Sequence, residues 1–158
     1  MSDPSLALQK LIYARLSGDA GVTALVPATS ILDRNHRPEQ FPGIIIGEGQ
    51  SVLGDYIQDS YHDEAFIDVH IWVSEIGLTT AKAIAGAVKD AIRTGPWSVD
   101  GYYASNVRTV SARYMRDPDG MFSHTVLTVK GILIELPPPP PAQPAPPNSA
   151  GTYLYLGF

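Results

Sequence analysis

Alternation of apolar and polar residues is the clearest pattern in the chain, and it runs through residues 64–75. Small and aliphatic residues occupy every second position: Ala65, Ile67, Val69, Ile71 and Val73. A mixed set lies between them: Phe66, Asp68, His70, Trp72 and Ser74. A period of two over this length predicts a half-buried β-strand. Because Phe66 and Trp72 are too apolar to be left to water, we expect a loop or another subunit to cover part of the mixed face.

Two other segments show the spacing of amphipathic helices. Asp3-Pro4 is typical of an N-cap followed by the first helical residue, and an apolar stripe comes next: Leu8, Leu11, Ile12 and Leu16. A second helix is predicted over residues 79–94. Its core stripe is Ala81, Ile84, Ala85, Val88, Ala91 and Ile92. A second face of this helix carries Ala83, Gly86 and Ala87, which are small enough to admit a close neighbour.

Further strands are predicted by apolar runs between turn signals. The candidates are Ile31-Leu32, Ile44–Ile46, 107–116 and 121–136. Asp117-Pro118-Asp119-Gly120 joins the last two as a tight turn, because proline presets φ and glycine supplies a positive φ. Gly131 is predicted to mark a bulge in the last strand. These elements predict an α+β fold, in which two main helices pack on a small mixed or antiparallel β-sheet.

Residues 50–63 are predicted to form a long polar loop, or a flared hairpin, between two antiparallel strands. Long loops in compact domains are often functional. We assign contact with a partner to its aspartates and tyrosines: Asp55, Tyr56, Asp59, Tyr61 and Asp63.

The sequence divides into a globular domain, 1–136, and a Pro-rich C-terminal arm, 137–158. Residues 137–147 hold eight prolines, which cannot pair in a sheet and predict an extended polyproline II segment. At about 3.1 Å per residue this segment spans roughly 34 Å. The arm ends in an alternating apolar tip: Tyr153, Leu154, Tyr155, Leu156 and Phe158. We expect the tip to dock on an adjacent subunit or a neighbouring protein; the alternative is an arm folded back on its own domain.

Composition narrows the class of protein. The chain has 158 residues, of which 44% are hydrophobic, enough for one domain with its own core. It has no cysteine, which excludes disulfides and thiolate metal sites. No apolar run approaches the roughly 20 residues of a membrane span, and the N-terminus lacks signal-peptide features, so we expect a soluble protein made inside the cell. A net charge of −5 argues against a surface built to grip nucleic acid.

Candidate chemistry is sparse. Asp68 and His70 share a strand face, and with Ser123 or His124 nearby they would suggest a hydrolytic triad. However, neither a nucleophile elbow nor an oxyanion glycine pattern accompanies them. The acidic loop suggests calcium, but the order Asp-x-Asp-x-Asp-Gly is missing. We therefore predict that the protein is not an enzyme and binds neither a metal nor a cofactor.

Three arginines lie on one predicted strand. Under strict alternation, Arg108 and Arg116 share one face and Arg113 takes the other. Either these side chains are exposed and partly paired with carboxylates, or they form salt bridges between subunits.

The order of these elements resembles the tail-completion or tail-terminator proteins of long-tailed bacteriophages and gene transfer agents. The resemblance covers roughly residues 5 to 136. Its recognisable points are Asp19-Ala-Gly-Val22 after the first helix, Phe41-Pro42-Gly-Ile-Ile-Ile46, the strand ending in Ile71-Trp72-Val-Ser74, the helix Ala81 to Ile92, and the late hairpin. The Pro-rich arm and its tip lie outside the resemblance.

The resemblance implies a structural virion protein at the top of the tail, assembled in the bacterial cytoplasm. As a tail terminator it would form a homo-hexameric ring on the last ring of the major tail tube protein, stop polymerisation and offer a surface for head–tail joining. DNA would pass through the ring without sequence-specific binding, and no membrane would be involved. The expected subunit interface is Phe66, Trp72, Ala83, Gly86 and Ala87. The loop 50–63 would face axial neighbours.

Two alternatives remain open at this point. The first is a head-completion (stopper) protein or another minor neck or tail component. The second is an adaptor that recruits an SH3-like partner through residues 137–141.

Overall fold

The computed structural model describes residues 3–34, 36–54, 62–95, 97–99, 101–137 and 140–142. The helices are α1 (Pro4–Gly18), the single turn α2 (Ala20–Thr23) and α3 (Thr79–Arg93), with a 3₁₀ turn at Ala28–Ser30. The strands are β1 (Ile31–Asp33), β2 (Gly43–Val52), β3 (His62–Val73), β4 (Ser98–Val99), β5 (Tyr102–Arg116) and β6 (Ser123–Glu135). None of these helices is long and apolar enough to cross a membrane.

The strands form one six-stranded sheet in the order β1-β2-β3-β6-β5-β4. β1 runs parallel to β2, and all other neighbours are antiparallel. The predicted alternating strand is β3, which pairs with β6 along its whole length, from His62 opposite Ile134 to Val73 opposite Ser123. The prediction of an α+β fold with a mixed sheet and two main helices is confirmed.

The core lies between one face of the sheet and the helices α1 and α3. We call this face of the sheet the inner face and the opposite one the outer face. Every aliphatic residue of the β3 pattern is buried there: Ala65, Ile67, Val69, Ile71 and Val73. The stripes predicted for both helices are buried against it as well. Hydrophobic periodicity therefore identified the residues of the core correctly.

Local signals set the ends of the helices. The Asp3 carboxylate accepts a hydrogen bond from the backbone N–H of Ser5 at 2.8 Å, and Asp19 accepts one from Val22 at 3.0 Å, so each aspartate satisfies a donor that the helix leaves free. α3 has no side-chain cap at Leu78. Instead, the Glu75 carboxylate accepts from the N–H of Ala81 at 3.1 Å.

The bulge predicted at Gly131 is found at that level of the sheet, but the extra residue belongs to β5. Asn106 and Val107 together lie opposite Gly131, and Asn106 adopts a φ of 52°. A Cβ at Gly131 would lie 3.1 Å from Leu8 Cδ1, so glycine here lets α1 approach the sheet closely.

A second irregularity in β5, at Val110, reverses the alternation along the strand. As a result Arg108 and Arg113 share the outer face, and Arg116 lies opposite the buried Ser123 on the inner face. The assignment of Arg108 and Arg116 to one face was wrong, because a bulge adds one residue to the period of two.

The strands reach further into the polar segment 50–63 than predicted. β2 continues to Val52 and β3 begins at His62, so Asp63 is a strand residue. The Asp63 carboxylate accepts a hydrogen bond from the N–H of Gly54 at 3.3 Å, which ties the two strand ends together. Asp55, Tyr56, Asp59 and Tyr61 lie outside the described residues, as does the C-terminal tip.

Removing a buried side chain from α1 should destabilise the domain. Leu8 is 0% exposed and packs under Gly131. We expect Leu8→Ala to lower the free energy of unfolding by about 2–5 kcal/mol, because it removes buried surface and leaves a cavity. Leu6→Ala is the matched control, since Leu6 lies on the same helix and is 42% exposed. Denaturant titration of both variants would show this; equal losses would contradict the assigned core face.

Candidate interaction surfaces

The outer face of β3 and β6 carries a row of polar contacts within the chain. Lys130 Nζ donates to Glu64 Oε1 at 2.6 Å and lies 5.6 Å from the centre of the Phe66 ring. Thr128 Oγ1 donates to Asp68 Oδ1 at 2.6 Å. These side chains lie side by side because β3 and β6 pair in register. The polar residues at the centre of this face are therefore already partnered.

Two histidines continue the row. His70 Nδ1 lies 2.9 Å from His124 Nε2, and the His124 ring stacks on Trp72 with centroids 3.9 Å apart. The pKa of His124 is lowered from 6.5 to about 4, mainly by burial and also by the nearby charges of His70 and Arg113. His124 is therefore neutral at neutral pH, and one of the two ring nitrogens in the pair donates to the other.

Trp72 is partly covered by a loop of its own chain. The Arg37 guanidinium lies 5.6 Å from the Trp72 ring centre and 3.6 Å from that of Phe122. Arg37 Nη1 also forms a salt bridge with Asp117 Oδ2 at 2.9 Å. This contact joins the loop before β2 to the turn between β5 and β6. Of the two covers expected for the mixed face, the loop is present at Trp72.

The arrangement does not assemble the hydrolytic triad that the sequence suggested. Ser123 is buried on the inner face, whereas His70 and Asp68 lie on the outer face. Asp68 accepts from Thr128, and His70 contacts His124. Within the described residues, no group of three or more His, Cys, Asp or Glu side chains is placed to hold a metal ion.

The small-residue face of α3 is only partly open. Ala83 is exposed, and a Cβ placed at Gly86 would meet no heavy atom within 4 Å. Ala87 is partly buried and packs against the core. Because α3 lies on the inner side of the sheet, this face points away from Phe66 and Trp72. The predicted interface residues thus form two patches on opposite sides of the sheet.

The sequence did not predict the groove along the edge of β5. β4 pairs with β5 only at Tyr102 and Tyr103, and no other described strand continues along that edge. A groove of about 330 Å³ lies between α3 and this edge. Its lining is basic and polar: Lys89, Arg93, Arg108, Thr109, Val110, Ser111 and Ala112. The cations themselves can be read from the sequence. The edge, however, is exposed only because β4 is short, and the sequence did not predict that length.

Comparison with known proteins agrees with this architecture. A chain of the solved structure "Virion of native gene transfer agent (GTA) particle" is similar in fold, with a TM-score of 0.74 at 21% sequence identity, covering 84% of this chain and 99% of that one. A search of curated proteins found no match. The family model "Tail completion protein gp17" matches residues 10–133.

The fold and these matches define a structural protein of a phage tail. The chain belongs to the tail completion protein gp17 family, and the resemblance noted in the sequence is confirmed. This family is a structural component of the virion.

The histidine pair should make stability depend on pH. Between pH 6.5 and about 4, His124 is protonated in the unfolded chain but not in the folded chain. The contribution of His124 to the free energy of unfolding is therefore fully present above this range and is lost as the pH drops through it. We expect His124→Phe, which keeps a ring on Trp72, to reduce that loss by on the order of 1 kcal/mol, a value discounted for solvent screening.

Thermal unfolding at pH 7.5 and pH 4.5 measures the effect. His36→Phe is the control, because His36 is an exposed loop residue. The account fails if both variants lose as much stability on acidification as the unaltered protein.

Proposed function

We propose that this protein is a tail terminator: six copies form a closed ring that caps the tail tube, stops its polymerisation and provides the surface for joining the head. Family membership over residues 10–133 supports a tail role. The observation that carries the ring is that the described part of the chain leaves two unlike surfaces uncovered, one at Ala83 and Gly86 of α3 and one along the edge of β5. Unlike patches that meet head to tail generate rings when the rotation closes.

The charge of the protein fits a ring through which DNA passes. Binding to the DNA backbone requires clustered cations that neutralise phosphates, whereas this chain carries a net charge of −5. An acidic lumen would let DNA slide without holding it. The partners of the ring in this proposal are the major tail tube protein on one side and a head-completion or neck protein on the other, at the top of the tail in the virion.

The loop between β2 and β3 is assigned to an axial partner. Val52 lies opposite Glu64 at one end of the sheet, and the turn at Asp117–Gly120 lies at the other end, since Ser123 pairs with Val73. The strand residues that flank the loop, Val52 and His62, therefore lie at an end of the sheet and not at the middle of a lateral edge. Their position favours contact of the loop along the tail axis, and Asp55, Tyr56, Asp59 and Tyr61 are the residues that we assign to this contact.

A charge on the open face of α3 should block ring closure. We choose Ala83→Glu rather than a change at Ala87, because Ala87 packs against the core and its replacement would also perturb the fold. The expected result is a folded monomer, because the buried stripe of α3 is untouched. Native mass spectrometry should show hexamers for the unaltered chain and monomers for the variant, and only the unaltered chain should arrest elongation of tail tubes in vitro.

Ala14→Glu is the matched control: it is the same replacement at an exposed alanine of α1, and it should leave both hexamers and arrest intact. If Ala83→Glu assembles and caps tubes normally, that helix face is not an interface. If the hexamer forms but tube growth continues, the protein is a different neck component, such as a stopper.

Shortening the axial loop should impair the joining of heads to tails without preventing ring formation. Replacing residues 55–60 with an Asn-Gly turn keeps the paired strand ends 52 and 64. We expect normal hexamers but fewer joined particles when heads and tails are mixed and counted by electron microscopy. Asp55→Asn with Asp59→Asn is the control for charge at constant loop length. Normal joining with the short loop would remove the loop from the function.

A further inference from the structure

Within the part of the chain that the structure describes, the edge of β5 is open over most of its length. Ala104 N–H still donates to Trp97 O at 2.9 Å, but beyond this point no described strand pairs with that side of residues 105–116. Such an edge presents a row of backbone donors and acceptors to an extended segment. Two bulges interrupt the row, and the side chain of Val110 at the second one is 44% exposed.

The groove beside this edge has a chemistry that suits aromatic side chains. Lys82 and Lys89 of α3 already lie 5.3 and 5.9 Å from the ring centre of Tyr114, and Lys89 Nζ donates to its hydroxyl at 3.4 Å. Arg93 and Arg108 extend the same basic lining. The groove therefore offers cations for the faces of aromatic rings.

The C-terminal arm leaves the sheet beside the start of this edge. Glu135 pairs with Tyr102, and Leu136 N–H donates to Gly101 O at 2.7 Å. From residue 136 to residue 152 an extended arm covers about 50 Å at polyproline II spacing. β5 itself is about 46 Å long from its first residue to its last, at roughly 3.3 Å per residue. An extended arm directed along its own β5 would thus bring the tip past the end of that strand.

We propose that residues 152–158 of one copy add as a strand to the free edge of β5 in an adjacent copy. The tip alternates Tyr153 and Tyr155 with Leu154 and Leu156, which is the pattern of a segment that pairs through its backbone and sorts its side chains to two faces. The tyrosines face the cations of the groove, and the leucines cover the opposite side of the edge. This proposal rests on the ring described above and places the tip of one subunit on the edge of β5 within that same contact between neighbouring subunits.

On charge alone, the acidic loop 55–61 of an adjacent copy is a competing occupant of the basic groove. Its two ends are fixed by the paired strands β2 and β3, which restricts how far it can extend along the edge of another copy. Aromatic contacts to cations also depend less on salt than a contact between opposite charges in solvent. The open row of backbone groups therefore favours the tip.

Cysteine cross-linking in the full chain tests the proposal directly, because the natural sequence has no cysteine. Protein carrying Val110→Cys is mixed with protein carrying Tyr155→Cys and oxidised, because both side chains face the groove in this arrangement. We expect a covalent dimer of twice the chain mass on a non-reducing gel. The matched control is Leu25→Cys in place of Val110→Cys, since Leu25 is 41% exposed and belongs to neither β5 nor α3. A synthetic peptide of residues 148–158 added in excess should suppress the dimer.

The other results overturn the proposal. They are equal dimer yields with Val110→Cys and Leu25→Cys, no dimer at all, a link within one chain when a single copy carries both changes, or a dimer with Asp59→Cys in place of Tyr155→Cys. Native mass spectrometry of the same samples keeps the two hypotheses apart. A hexamer without the Val110–Tyr155 link contradicts the docked tip but not the ring, whereas the link without a hexamer contradicts the ring but not the docked tip.

Discussion

The full-length pairing of β3 with β6 is the constraint on which the rest of the structure depends. It fixes which side chains face the helices, because a shift of one residue would turn the aliphatic set of β3 toward solvent. It also places Glu64 beside Lys130 and His70 beside His124 on the outer face. Core and outer surface are therefore set by one register.

This register has consequences for how the protein meets other subunits. On the outer face, the chain satisfies its own polar groups at Asp68 and Glu64 and covers Trp72 with Arg37. The edge of β5 and the small-residue face of α3 have no comparable cover among the described residues. Because unpaired backbone and open small-residue surfaces favour association, the lateral contacts of a ring fit these two places best. Phe66 and Trp72 are partly exposed and each already has a cation of its own chain over its ring.

Much of the fold followed from local patterns in the sequence. The buried stripe of α3, the cap at Asp3 and the turn at Asp117–Gly120 depend on neighbours within a few residues, and periodicity is informative at that range. The predicted face of Arg113 was wrong because the sequence carries no local signal for the bulge at Val110, since valine is an ordinary strand residue. The basic groove was missed for a related reason, since it exists only where β4 stops and β5 continues. Asp68 and His70 were placed on one face correctly, but their partners in β6 depend on the register of a distant strand.

Imaging of the purified, unaltered chain by negative stain or cryo-electron microscopy tests the central claim most directly. The account predicts a closed ring with six-fold symmetry, in which α3 and the edge of β5 lie at the contacts between neighbouring subunits. Particles of a single 17.0 kDa chain, or assemblies in which subunits meet only through the outer face of β3 and β6, would contradict it.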